Sequence, residues 1–167
     1  MTDLLIFELA GVRGGLPVES VREIVRAVQI SPLPGAPPVI EGVINVRGNV
    51  VPVVSLRARL GLPPSTLDAS EHMIVISALQ RDVALRVDRA VALAPISDSD
   101  ISSPDTLTGA GWNVAGVARL EDGLLVIHDP NAFLSQAEDV ALATALGSGA
   151  RKGDAQESDA HESAARA

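Results

Sequence analysis

The stretch Ile40-Glu41-Gly42-Val43-Ile44-Asn45-Val46-Arg47-Gly48-Asn49-Val50-Val51-Pro52-Val53-Val54-Ser55-Leu56-Arg57 holds two apolar runs around a short polar tip. Val39 to Val46 reads as one strand and Val50 to Leu56 as another, because both are short and rich in β-branched residues that suit a pleated surface. Arg47-Gly48-Asn49 stands between them, and Gly-Asn between apolar runs signals a hairpin. The ribbon is apolar except at its tip, where it presents an arginine and a glycine. Leu56 to Leu60 then fits a helical turn, closed by Gly61 and Pro63-Pro64.

Upstream, Leu4 to Leu9 alternates loosely as a strand, and Gly11, Gly14 and Gly15 form a turn. Leu16-Pro17-Val18 opens a second strand. Glu19 to Val28 fits either a helical face (Val18, Val21, Ile24, Val25, Val28) or one tight turn running into a strand, since short apolar runs do not separate the two. Pro32, Pro34, Pro37 and Pro38 exclude a long helix. Downstream, Pro63 to Glu71 is polar and reads as a crossing between halves. Strands resume at His72 to Leu79, Val83 to Val87 and Ala90 to Ile96. After the polar connection Ser97 to Gly111, Trp112 to Leu120 and Leu124 to Ile127 form a hairpin around Asp122-Gly123. Asp129-Pro130 starts a helix over 130–146, with Asp129 as its cap and an apolar face of Phe133, Leu134, Ala137, Val140, Ala141 and Leu146. Residues 147–167 are Ala, Gly, Ser and charge, and a disordered tail is expected there. Nine or ten short strands predict small β-barrels.

Composition narrows the function. The chain has 167 residues, 47% of them hydrophobic and 2% aromatic (Phe7, Trp112, Phe133), so the core is aliphatic. It has no cysteine, which removes disulfides, cysteine nucleophiles and thiolate metal sites. A net charge of −8 disfavours nucleic acid and anionic membranes as partners. No apolar run reaches the roughly 18 residues of a membrane span. No secretory signal is visible at Met1-Thr2-Asp3, so a cytoplasmic location is expected.

Chemistry is sparse. His72, His128 and His161 have no metal-ligand spacing, and His72 and His128 read as rim or surface imidazoles. No Gly-x-Ser-x-Gly elbow and no phosphate-binding glycine loop is present. No enzyme, cofactor or metal is expected. Glu23, the one acid in the apolar segment Val21 to Val28, is a candidate partner for Arg47; otherwise both are unrelated surface charges.

The Ile40–Arg57 run resembles the hallmark of CheW-like domains, in which a Gly-Val-Ile-Asn-like strand ends in Arg-Gly and leads to a Val-Pro-Val-like strand and Leu-Arg. Leu16-Pro-Val-Glu-Ser-Val-Arg-Glu-Ile-Val25 is similar to a second landmark, and Leu33-Pro-Gly-Ala-Pro37 to the link between them. Val87-Asp88-Arg89-Ala90-Val91, Gly116-Val117-Ala118 and Asp122-Gly123-Leu124 through Asp129-Pro130 resemble the second half. The likeness covers residues 4–135. Gly14 stands where an aromatic is common, and Ser55 where aspartate is.

The resemblance implies an all-β fold of two SH3-like five-stranded β-barrels around a shared apolar interface. Their extents are expected at 16–66 for the first, and at 4–13 with 70–128 for the second. It implies a scaffold that couples chemoreceptors to the regulatory domain of a CheA-type histidine kinase, within membrane-associated receptor arrays. A non-flagellar chemosensory system is the alternative, and a β-barrel enzyme or ligand-binding domain the rival. The residues it marks for kinase or receptor contact are Val21, Glu23, Gly42, Asn45, Arg47, Gly48, Val87 and Val91. Gly42 is expected to leave room for a partner.

Overall fold

The computed structural model describes residues 1–78, 81–103 and 114–147. Its strands, in chain order, are β1 (Thr2–Leu9), β2 (Val12–Pro17), β3 (Val21–Arg26), β4 (Ile40–Val46), β5 (Asn49–Val54), β6 (His72–Ser77), β7 (Asp82–Val87), β8 (Arg89–Ile96), β9 (Ile101–Ser102), β10 (Val114–Leu120) and β11 (Gly123–His128). They form a six-stranded sheet, β8-β1-β2-β11-β10-β9, and a five-stranded sheet, β3-β6-β7-β5-β4. The all-β class with short helices is as expected. The strand counts differ: the sixth strand is the two-residue β9, in the polar connection that reads from sequence as irregular.

Among the described residues neither ladder closes on itself. The five-stranded sheet curls instead. Its edge strand β4 exchanges two backbone hydrogen bonds with Ser31, in the segment that follows the opposite edge strand β3: Ser31 N to Val43 O at 2.9 Å, and Val43 N to Ser31 O at 2.8 Å.

The sheets divide the chain differently from the expected barrel extents. β6 and β7 join β3–β5, while β2 joins the other sheet. Because β7 lies between β5 and β6, the polar segment after β5 crosses over within one sheet. The chain changes sheet at the 3-10 turn Val18–Ser20 and again at Asp88. The Glu19–Val28 ambiguity resolves as a turn and a strand. Val21, Glu23 and Val25 are half-buried while Arg22, Ile24 and Arg26 are exposed, a period of two.

This alternation builds three apolar clusters. Leu4 and Ile6 pack with Ala118 and Leu125 inside the six-stranded sheet. Met73 and Val75 pack with Ile44 and Val53 inside the five-stranded one. Leu5, Phe7 and Leu9 face the other way, and meet Ile74, Ile76, Leu85 and Val87 in a cluster common to both sheets. Each buried Val, Leu, Ile, Phe or Met side chain among them stabilises by about 1.5–3 kcal/mol. Gly14 fits the common cluster: a Cβ there would lie 2.3 Å from Phe7 Cζ, so the glycine leaves room for a ring supplied by β1.

The C-terminal segment departs from expectation in its phase. Asp129 caps only the 3-10 turn Pro130–Ala132. Helix α1 is the turn Leu56–Arg59, capped by Ser55, whose Oγ accepts from Ala58 N at 3.2 Å. Helix α2 spans 136–147. It starts at a capping box, with Ser135 Oγ accepting from Glu138 N and Glu138 Oε1 accepting from Ser135 N. That start fixes the phase: Leu142 and Ala145 are buried, whereas Ala137 and Val140 face solvent. Arg59 pairs with Glu138, and Arg81 with Asp139 at 2.9 Å. Burial works to raise the Glu138 carboxyl, but hydrogen bonds from Arg59 and Ser135 outweigh it and hold the group below its ordinary value. The expected tail lies outside the described residues from 148 onward.

His128 is a correction to the surface reading. It is 2% exposed and sits between Phe7 and Phe133, with ring centroids 5.8 and 5.9 Å away. The end of β11 is covered by β1 and by the turn after Asp129. Burial pushes this imidazole down to about 4, from an ordinary 6.5. Between those values the unfolded chain takes up a proton that the folded chain refuses. Stability tied to His128 is therefore full above pH 6.5 and is lost as pH falls toward 4, by about 3 kcal/mol. Urea midpoints measured from pH 7 to 4 should fall less steeply in His128→Gln than in the unmodified chain. Parallel slopes would count against this.

Candidate functional site

The tip of the β4–β5 hairpin is a two-residue loop, Arg47-Gly48, between the paired residues Val46 and Asn49. Arg47 has φ 51° and Gly48 φ 84°, the positive values that a type I′ turn demands at both central positions. For arginine this conformation costs about 1–2 kcal/mol relative to its ordinary wells. Asn45 helps to hold it, its Oδ1 accepting from Gly48 N at 2.8 Å. The loop therefore projects a cation at a set angle.

Arg47 Nη2 meets Glu23 Oε1 at 2.9 Å. The pairing weighed on sequence grounds is formed. Glu23 lies on edge strand β3 and Arg47 beyond the opposite edge, so the contact follows from the curl of the sheet. Arg47 is 80% exposed and Glu23 25%. A pair this wet contributes about 0–1 kcal/mol to folding, and it shapes the surface beside it.

That surface is a groove of roughly 610 Å³, bordered by Glu23, Arg47 and Val50, with Arg81, Asp82 and Leu146 also along its lining. Val50 is 64% exposed. Arg22, on the same rim, pairs with Asp82 at 2.9 Å. Asn45 and Gly48 are exposed beside Arg47. Val21 is half-buried against the common core, and Val87 lies wholly within that core, with no surface to offer a partner. Val91 is exposed but belongs to β8, an edge of the other sheet. The structure thus brings Glu23, Asn45, Arg47 and Gly48 together and separates Val87 and Val91 from them.

Gly42 is buried in the closure of the curled sheet. A Cβ there would stand 2.2 Å from the Ser31 carbonyl oxygen, and its φ is 150°. The room this glycine leaves is filled by the chain's own backbone, which corrects its expected role.

Sequence reasoning missed a second set of charges. Arg86, 7% exposed, donates from Nε to Glu71 Oε2 at 2.6 Å, from Nη1 to Glu41 Oε1 at 2.8 Å and from Nη2 to the Ser65 carbonyl at 2.9 Å. The hydrogen bond to Glu71, together with the charge of Glu41, holds the guanidinium above its ordinary value. The signal was present in Val83-Ala84-Leu85-Arg86-Val87, a strand whose alternation puts a lone arginine on the inward face with Ala84. Among the described residues no three His, Asp or Glu side chains stand where they would hold a metal, and no helix is long and apolar enough to cross a membrane.

The model of the CheW-like domain matches residues 3–138, from β1 into α2. The chain belongs to the CheW-like domain family. Chemotaxis protein CheW of Bacillus subtilis is 31% identical over 135 residues, covering 80% of this chain and 86% of that protein. Chemotaxis protein CheW of Treponema pallidum is 27% identical over 141 residues, covering 81% and 83%. The crystal structure of the scaffolding protein TtCheW from Thermoanaerobacter tengcongensis superposes with a TM-score of 0.74 at 28% identity, covering 82% of this chain and 94% of that one. The CheW-like match takes in both sheets, the Glu23–Arg47 pair and the first turn of α2.

Proposed function

We propose that this chain is a non-enzymatic CheW-type adaptor that couples chemoreceptors to a CheA-type histidine kinase. The observation that carries the reading is the Glu23–Arg47 pair at the strained hairpin tip, inside a CheW-like domain. A cation held in an unfavourable backbone conformation, on a pair worth little to folding, is most simply accounted for by use at the surface. On this reading the groove beside Arg47 receives the cytoplasmic tip of the receptor. The kinase's own CheW-like regulatory domain binds elsewhere on the five-stranded sheet. The protein works in the cytoplasm and joins membrane-associated arrays by contact with receptors.

A double-mutant cycle tests this. Binding of a soluble chemoreceptor cytoplasmic fragment is measured by calorimetry for the unmodified chain, Glu23→Ala, Arg47→Ala and the double variant. Each single change should weaken binding, and the double change should weaken it by less than their sum. Additivity within about 0.3–0.5 kcal/mol would mean that the two side chains act independently. A receptor fragment indifferent to both changes would remove this face from the receptor contact.

A further inference from the structure

We propose that helix α2 supplies one wall of the receptor groove, with Leu146 as a contacting side chain and the Arg81–Asp139 pair as the latch that positions it. This rests on the receptor reading of the Glu23–Arg47 face. Leu146 lines the same groove as Glu23, Arg47 and Val50, although about a hundred residues separate it from the hairpin. The helix is built into the body. Leu142 and Ala145 are buried, Leu142 within the core common to both sheets, and Leu146 itself is only half-buried against that core, leaving part of its side chain toward the groove. Arg81 is shared between the two features: it lines the groove, and its Nε holds Asp139 of α2 at 2.9 Å, with both side chains less than a quarter exposed. The latch thus ties the position of the helix to the lining of the groove.

The charges state what fits. The body is acidic, net −7 over residues 1–146. Yet the cations of this rim, Arg22 and Arg47, are 60% and 80% exposed, so their forked donors remain largely in water. Val46, Val50 and Leu146 set apolar side chains among the charged ones of the lining. A mixed trough, with apolar side chains set among exposed guanidinium groups and the carboxylates they pair with, suits an amphipathic helix that carries carboxylates beside its apolar stripe. The receptor tip is the occupant to which the proposal commits.

The test uses the full chain with two probes, a soluble receptor cytoplasmic fragment and the regulatory domain of the kinase. Leu146→Glu should weaken receptor binding at least about tenfold, as expected for a charge placed in the desolvated centre of an interface, and leave kinase-domain binding unchanged. Arg81→Asp should weaken receptor binding too, and the swap Arg81→Asp with Asp139→Arg should recover most of it. This second arm holds if Leu146→Glu loosens α2. Arg47→Glu serves as the reference for the reading itself. If Arg47→Glu impairs receptor binding while Leu146→Glu and Arg81→Asp do not, the helix has no part in the site and the proposal falls alone. If none of these changes alters receptor binding, the reading of the face falls with it. Loss of kinase-domain binding in place of receptor binding would assign the groove to the other partner and overturn the proposal.

Discussion

Arg86→Leu should lower unfolding stability by about 3–5 kcal/mol, the cost of removing one member of a buried ion group. Glu71, 10% exposed, would keep its charge without its cation, and Glu41 and the Ser65 carbonyl would lose their donor. Against a total of about 5–15 kcal/mol for an ordinary domain, that is a large fraction. The damage should come from the orphaned carboxylates more than from lost attraction. Arg86→Leu combined with Glu71→Leu and Glu41→Gln should therefore recover much of the loss, since apolar replacement of a whole buried ion group is often close to neutral. Urea unfolding of the three chains separates these cases. A loss under about 1 kcal/mol for Arg86→Leu alone would show that water reaches the network and screens it.

Gly42→Glu is expected to fail to fold, or to fold with the five-stranded sheet open. A Cβ at 2.2 Å from a backbone oxygen must push that backbone away, and Ser31 is held by two hydrogen bonds to Val43. The φ of 150° adds strain for any side chain. Loss of kinase binding in this variant would thus follow from loss of structure. Gly42→Ala tests the same point with less bulk. It should lower the thermal midpoint and deprotect the Ser31 and Val43 amides in hydrogen exchange before the amides of β6 and β7. Native protection at both amides would refute the steric argument.

The strands were legible because they are short, β-branched and punctuated by Gly and Pro. The hairpin was legible because Gly48-Asn49 between apolar runs signals a turn, although the two central residues are Arg47 and Gly48 and Asn49 already belongs to β5. The Glu23–Arg47 pair could be weighed because Glu23 is the one acid of its apolar segment and Arg47 stands at the tip of an apolar hairpin. The grouping of strands was not legible. β6 and β7 have the same local pattern whichever sheet they join, and the long-range pairings of β6 with β3 and of β7 with β5 decide it. Gly42 was misread for a similar reason: a small residue announces a close approach but does not say by what. The α2 face was misplaced by its start, since moving the start from Asp129 to Ser135 rotates every later side chain. His128 was misread because a single sequence shows no burial, and the rings that cover it come from β1 and from the turn beyond β11.

The core common to both sheets has a consequence for how such a molecule passes on information. Leu5, Phe7 and Leu9 from one sheet interlock with Ile74, Ile76, Leu85 and Val87 from the other, and Phe133 and Leu142 close the same cluster. Interiors packed in this way resist gradual deformation. Among the described residues the two sheets are locked by one shared core, which holds the spacing between their outer faces. Such a body suits a scaffold, whose use is to hold whatever it binds at a set distance.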